Sequence, residues 1–203
     1  TKIKYKNRAL LFQRIEKICN FQKGLDYDRE SVTFLNEKGY KNIYFFDLNQ
    51  PKDIDFKPDI IVFADTLEHL MNLEIALTSL KRLMTSDTEL IITVPNATML
   101  LRFLGNFKGV IDEHLDHKVS FTHSSLVQLV NFNGLRAEEV LLAAELNIND
   151  SHYISKDEDN QIKKESFIFR LKRKVYYLFY YKLVKFFPLF SECMIITCKL
   201  DKK

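Results

Sequence analysis

Apolar residues along this chain follow two alternating rhythms. Short runs apolar on both faces alternate with stretches in which apolar residues recur every three or four positions. The clearest case lies between Asp59 and Asn96. The run Ile60-Ile61-Val62-Phe63-Ala64 is too short for a helix and predicts a strand buried in a parallel sheet. Leu67, Leu70, Leu73, Ala76, Leu77, Leu80, Leu83 and Met84 then predict the stripe of one helix packed on that sheet. Thr85-Ser86-Asp87-Thr88 breaks the helix. Leu90 to Val94 predicts a second buried strand, stopped by Pro95. Strand, helix and strand together predict a right-handed crossover.

The same rhythms run through the rest of the chain. Leu10, Leu11, Ile15 and Ile18 predict an amphipathic helix over Tyr5 to Cys19. Phe21 to Asp28 reads as the end of a short strand entering a turn. Ser31 to Lys38 predicts a helix ended by Gly39. Ile43 to Phe46 predicts a strand ending at Asp47, with a loop from Asn49 to Pro58. A short helix over Ala97 to Leu104 is followed by a loop over Gly105 to Gly109. Ser124 to Phe132 predicts a helix with Thr122 or His123 near its cap and Gly134 after it. Leu135 to Leu146 predicts a strand, with Cys193 to Cys198 as its antiparallel partner.

Between these last strands lies an insertion, Asn147 to Ser191. Its first part, Ser151 to Lys164, is highly charged. Its second part, Phe167 to Phe187, carries apolar residues at 168, 171, 175, 178/179, 183 and 186, which predicts an amphipathic helix. Three roles are open to it. It is a lid or packing helix over an acceptor site, a surface helix touching membrane or a lipid-linked substrate, or a dimer contact.

Composition adds bounds. A length of 203 residues predicts one domain with a continuous core. Hydrophobic content of 46% and charged content of 28% are ordinary for a globular chain. A net charge of +3 gives no argument for nucleic acid. Cys19, Cys193 and Cys198 lack metal spacing and read as reduced thiols of a cytoplasmic protein. No signal peptide and no membrane-spanning apolar run is visible. There is no internal repeat.

In open parallel sheets ligands bind beyond the carboxyl ends of the strands. Here those ends are Ala64-Asp65-Thr66 and Pro95-Asn96. A strand ending in Asp65-Thr66-Leu67-Glu68-His69-Leu70, a helix, the strand Leu90 to Asn96, and Asp116-His117 with Phe121-Thr122 downstream resemble the class I S-adenosylmethionine-dependent methyltransferases. The resemblance runs from about Lys23 to Leu142, with a closing strand near Cys193 to Lys199. It implies an α/β, Rossmann-like doubly wound sheet, mostly parallel with an antiparallel last strand and helices on both faces. It also implies S-adenosylmethionine as cofactor. Asp26, in Gly24-Leu25-Asp26-Tyr27-Asp28, falls on the acid that accepts both ribose hydroxyls. Tyr27 would pack beside adenine. Asp47 falls on the acid that receives the adenine amino group, with Leu48 beside it. Ala64 and Asp65 would line the cofactor cleft, and His69 would face that cleft or cap the helix. The plainer alternative makes Asp26, Asp28 and Asp47 turn formers.

One part of the pattern is missing. The family's first, central strand ends in a Gly-x-Gly loop that lets backbone approach the cofactor. The five glycines here, Gly24, Gly39, Gly105, Gly109 and Gly134, make no such pair. Nor is there room before Gly24 for strand, loop and helix, a unit of ~30 residues. Either residues are missing from the sequence near Asn20 to Lys23, or the protein lacks the motif. The first is preferred, because a parallel sheet without its central strand leaves ladder groups unpaired.

Methyl transfer from a sulfonium mainly requires that the acceptor be positioned. An oxygen acceptor must also lose a proton, and histidine titrates in the right range. Asp112 to His123 holds His114, His117 and His123 among carboxylates. One of His114 and His117 is expected to act as general base, with Glu113 or Asp116 orienting it. A metal set of Glu68, His69, His114 and His117 is conceivable, but its spacing matches no known ligand signature, and no metal is assigned. The expected activity is methyl transfer to a hydroxyl or amine of a small or carbohydrate-like acceptor. The alternatives are a non-catalytic binding or scaffold module of the same fold, and a membrane-surface enzyme using the helix at 167–187.

Overall fold

A computed structural model describes residues 11–50, 55–107, 109, 116–144 and 167–201. They divide into two compact units, 1–56 with Glu74–Leu83, and Lys57–Leu73 with Met84–Lys203.

The first unit holds α1 (Leu11–Ile15), β1 (Gly24–Asp26), α2 (Arg29–Glu37), β2 (Ile43–Phe45) and α3 (Leu73–Leu83, from Glu74 on). Strands β1 and β2 pair in parallel, with Gly24 opposite Ile43 and Asp26 opposite Phe45. Val32, Leu35 and Ile43 form the local core, flanked by Phe12, Phe34, Tyr40 and Phe45. A Cβ at Gly24 would stand 3.0 Å from the Phe12 ring, so a larger residue there requires the ring to give way. Gly39 follows α2 with φ +87°, the left-handed cap its position predicts. The start of α2 was not foreseen. Asp28 caps it, its carboxylate accepting from the Glu30 N–H at 3.1 Å and the Ser31 hydroxyl at 2.5 Å. The expected helix over Tyr5 to Cys19 is described only from Leu11, and its last turn loosens beyond Ile15. Residues 16–18 form a turn, and Gln22 Nε2 donates to the Phe12 carbonyl at 3.1 Å. No strand precedes Gly24 among the described residues, so residues 11–23 do not supply a glycine loop.

The second unit holds β3 (Ile60–Ala64), β4 (Glu89–Pro95), α4 (Leu100–Phe107), α5 (His123–Phe132), β5 (Leu135–Ala143), α6 (Phe167–Phe186) and β6 (Cys193–Leu200). Its sheet runs β3-β4-β6-β5. The β3–β4 pair is parallel. Strand β6 runs antiparallel between β4 and β5, with Ile92 and Val140 both opposite Ile196. The expected mixed sheet with an antiparallel last strand is present. On β4 every second residue is sealed: Leu90, Ile92 and Val94 are fully buried, as are Met194, Ile196 and Cys198 on β6. Thr122 caps α5 reciprocally with Ser125.

Four expectations need correction. The stripe from Leu67 to Met84 is not one helix. Leu67–His69 is a single 3₁₀ turn, Leu70 is extended, and α3 begins at Leu73. The Glu68 carbonyl accepts the N–H groups of Lys118 and Val119 at 2.7 and 3.2 Å, so it is not available to continue the helix. Strand β3 is not buried on both faces. It forms an edge of its sheet, and Ile60 and Val62 are exposed. Gly105 lies inside α4 rather than in a loop. On α6 the stripe residues 175, 178, 179 and 186 face solvent and Leu183 is partly buried, while Tyr180 and Val184 are buried with Leu100. The Tyr180 hydroxyl donates to the Phe190 carbonyl at 2.9 Å, which draws that face inward. The charged part of the insertion lies outside the described residues.

Cys198 makes the β6 core testable. Burial, reinforced by Glu138, pushes its thiol from 9.0 up to about 12. Alkylation at about pH 8 should label Cys19 and Cys193 and spare Cys198 until the chain unfolds, because only the thiolate reacts. The neutral form is the one the fold favours. Its contribution to stability is complete below pH 9.0 and is lost as pH rises toward 12. Native labelling of Cys198 at the rate of Cys19 would show that the β4–β6–β5 core is open.

Candidate functional site

In the first unit the two acids named by the sequence lie at the carboxyl ends of neighbouring parallel strands. Asp26 closes β1, and its carbonyl accepts the Phe46 N–H at 2.9 Å. Asp47 follows β2. Each carboxylate also shapes its own turn. Asp26 Oδ1 accepts the Asp28 N–H at 2.9 Å, and Asp47 Oδ1 accepts the Asn49 N–H at 2.9 Å and Asn49 Nδ2 at 3.1 Å. The turn-forming role is therefore real, and it engages one oxygen of each carboxylate. Tyr27 stands largely in solvent. The Leu48 carbonyl accepts the Ser79 hydroxyl at 2.9 Å.

In the second unit, β3 ends in a strained residue. Asp65 adopts φ 45°, the left-handed region that few residues other than glycine tolerate and that often marks functional sites. Thr93 of β4 holds it there. The Asp65 N–H donates to the Thr93 carbonyl at 3.0 Å and to Thr93 Oγ1 at 3.1 Å, and Oγ1 donates to Asp65 Oδ1 at 2.8 Å. The Ala64 carbonyl accepts the Thr66 hydroxyl at 2.8 Å.

The 3₁₀ turn then presents Glu68 and His69. The Lys118 and Val119 amides on the Glu68 carbonyl bring His117 against His69, with ring centroids 4.9 Å apart. The His69 ring faces the Asp116 carbonyl through Nδ1 at 3.2 Å. A carbonyl only accepts, so Nδ1 is the donor in this contact. Nε2 lies 3.9 Å from Glu68 Oε1. Glu68 is only 2% exposed, and its Oε2 has no hydrogen-bond partner. Burial and the neighbouring Asp65 raise its carboxyl above the usual range, against its own backbone and the two histidines.

The structure thus brings together Asp65, His69 and His117 of the expected site. Glu113 and His114 lie outside the described residues. Sequence reasoning missed Thr93 as the residue that fixes Asp65, and it missed the burial of Glu68. A helical wheel offers no signal for that burial, because no continuous helix forms there. Asn96, expected at a ligand-facing strand end, is buried instead. Its Nδ2 donates to the Leu189 and Ser191 carbonyls at 2.9 and 2.8 Å, and its Oδ1 accepts from Thr98.

No protein-family model and no curated protein matches the chain. Solved structures do. A SAM-dependent methyltransferase from Archaeoglobus fulgidus matches with TM-score 0.56 at 18% identity, over 93% of this chain and 80% of that one. An S-adenosylmethionine-dependent methyltransferase from Clostridium acetobutylicum matches with TM-score 0.52 at 11% identity, over 92% and 79%. Magnesium protoporphyrin IX methyltransferase from Synechocystis, with bound SAH, matches with TM-score 0.51 at 14% identity, over 88% and 64%. At these identities the likeness is one of fold, and the chain has the class I S-adenosylmethionine-dependent methyltransferase fold.

Proposed function

We propose that the chain binds S-adenosylmethionine and transfers its methyl group to a hydroxyl or amine of a small or carbohydrate-like acceptor. The observation that carries this reading is the pairing of the fold with its acids. Asp26 and Asp47 end adjacent parallel strands in the order the fold's cofactor site requires. Asp26 accepts the ribose hydroxyls through the oxygen its turn leaves unused, and Asp47 receives the adenine amino group. The cofactor brings its own leaving group, so the chain's part is to orient the acceptor and accept a proton. His117, set beside His69 and partly exposed, is the described residue suited to take that proton.

A second reading has its own support. The chain has no Gly-x-Gly, and no strand lies before β1 among the described residues. A domain of this fold without that loop would serve as a non-catalytic binding module. Asp26→Ala separates the two. It should weaken S-adenosylmethionine binding by about 1–3 kcal/mol, the cost of leaving buried donors unpaired. Calorimetry with both proteins would read this directly. An affinity unchanged by the substitution would remove Asp26 from the ribose site.

The exposed residues Val175, Leu178 and Phe179, with Lys182 and Lys185 on the same helix, are compatible with contact at a membrane surface. Among the described residues no helix is long and apolar enough to cross a membrane. Flotation with liposomes, with and without the α6 substitutions Leu178→Ser and Phe179→Ser, would test that contact.

A further inference from the structure

We propose that Glu68, His69 and His117 form a binding site for one divalent transition-metal ion. One potential ligand atom from each of the three residues lies within 4.8 Å of the others. Three observations point to an ion rather than to a chance cluster.

The first is Glu68. A carboxyl group only 2% exposed normally has a hydrogen-bond partner on each buried oxygen, because a bare buried oxygen is costly. Oε2 has no partner. Among the described residues only Ser191 Oγ shares that condition. The second is the orientation of His69. Metal-bound imidazoles usually donate their other N–H to a carbonyl or carboxylate, which fixes the tautomer. His69 Nδ1 faces the Asp116 carbonyl, and Nε2 is thereby turned toward Glu68. The third is spacing. Donors on a tetrahedral ion with bonds of ~2.0–2.2 Å stand ~3.4 Å apart. The Glu68 Oε1 to His69 Nε2 separation of 3.9 Å is too long for a hydrogen bond and near that figure. The three ligand atoms span at most 4.8 Å, so a bound ion would draw the side chains together.

Two imidazoles and one carboxylate select zinc-like ions over magnesium or calcium, which prefer all-oxygen sets. Three protein ligands leave a coordination position open, as in catalytic rather than structural sites. With an ion bound, His117 is a ligand, and the ion rather than the imidazole would promote loss of an acceptor proton. The proposal does not depend on methyl transfer, because binding is its readout.

The test uses the untagged chain, stripped with EDTA and titrated with Zn²⁺ by calorimetry and with Co²⁺ by visible absorption. One ion per chain is expected, with a Co²⁺ spectrum of low coordination number. Glu68→Gln and His69→Ala should each weaken binding by more than about tenfold, given that even supporting residues around metals are worth ~10–100-fold. Glu68→Gln keeps size and removes charge, so its ion-free form should unfold at or above the wild-type temperature while losing the rise that Zn²⁺ produces. Absence of stoichiometric binding, or equal binding by wild type and both variants, would overturn the site.

Discussion

His117→Ala should lower turnover by about 10²–10⁴-fold, the usual worth of a positioned acid or base, while S-adenosylmethionine affinity stays within a factor of about two. The argument is geometric. The amides of Lys118 and Val119 are clamped on the Glu68 carbonyl, so the backbone next to His117 is held on both its following peptides. The imidazole is partly exposed and lies edge-on to His69. Its loss removes a proton acceptor, or a metal ligand, without touching β1 or β2. Separate measurement of turnover and cofactor affinity checks the split. Wild-type turnover in the variant would move the base to a residue outside the described ones, such as His114. A fall in cofactor affinity equal to the fall in turnover would make His117 part of the cofactor site.

The second large effect is on stability. Asn96→Ala should cost about 3 kcal/mol, the upper end of the ~1–3 kcal/mol lost when a buried polar group is orphaned. Asn96 is 1% exposed, and its side chain links the end of β4 to the turn before β6. Alanine leaves the Ser191 carbonyl without its donor and the Thr98 N–H without its acceptor, while the Thr98 hydroxyl keeps the Leu189 carbonyl at 2.8 Å. The Asn96 backbone also bridges to Phe121, and the Ala97 N–H donates to the Phe121 carbonyl at 2.8 Å, so the segment carrying His117 hangs from the same corner. Urea unfolding should show a lower midpoint with an unchanged slope. A cost below about 0.5 kcal/mol would mean that water replaces the amide, contrary to the packing described.

Much of this was legible from residue patterns. The short runs rich in β-branched and aromatic residues at 43–45, 60–64 and 193–198 are strands, too short between their turn residues for helices. Gly39 and Gly134 stop helices where their spacing predicts, both at positive φ. What failed did so for tertiary reasons. The Leu67–Met84 stripe has the period of a helix, yet two amides some fifty residues downstream take the carbonyl that would extend it. The α6 stripe at 175, 178, 179 and 186 has the spacing of a buried face, but the Tyr180 hydroxyl finds its acceptor on the other side. Ile60-Ile61-Val62 has the composition of an interior strand and stands at a sheet edge, because neither composition nor period reports which neighbours are present. The site was half legible. Asp26, Asp47 and Asp65 stand at strand ends, as their place in the sequence predicts, and His117 lies on the loop before Phe121. The placement of Glu68 and the grip of Thr93 on Asp65 depend on pairs 50 and 28 positions apart, which no local pattern encodes.

The whole reading turns on whether this chain grips an adenosylated sulfonium without a paired-glycine loop. Titrating the 203-residue protein with S-adenosylmethionine in a calorimeter asks that question. Saturable heat with one site per chain, competed by S-adenosylhomocysteine, is the predicted result. A flat titration, from protein whose thermal unfolding shows it to be folded, would contradict the enzyme assignment and leave the fold as a scaffold.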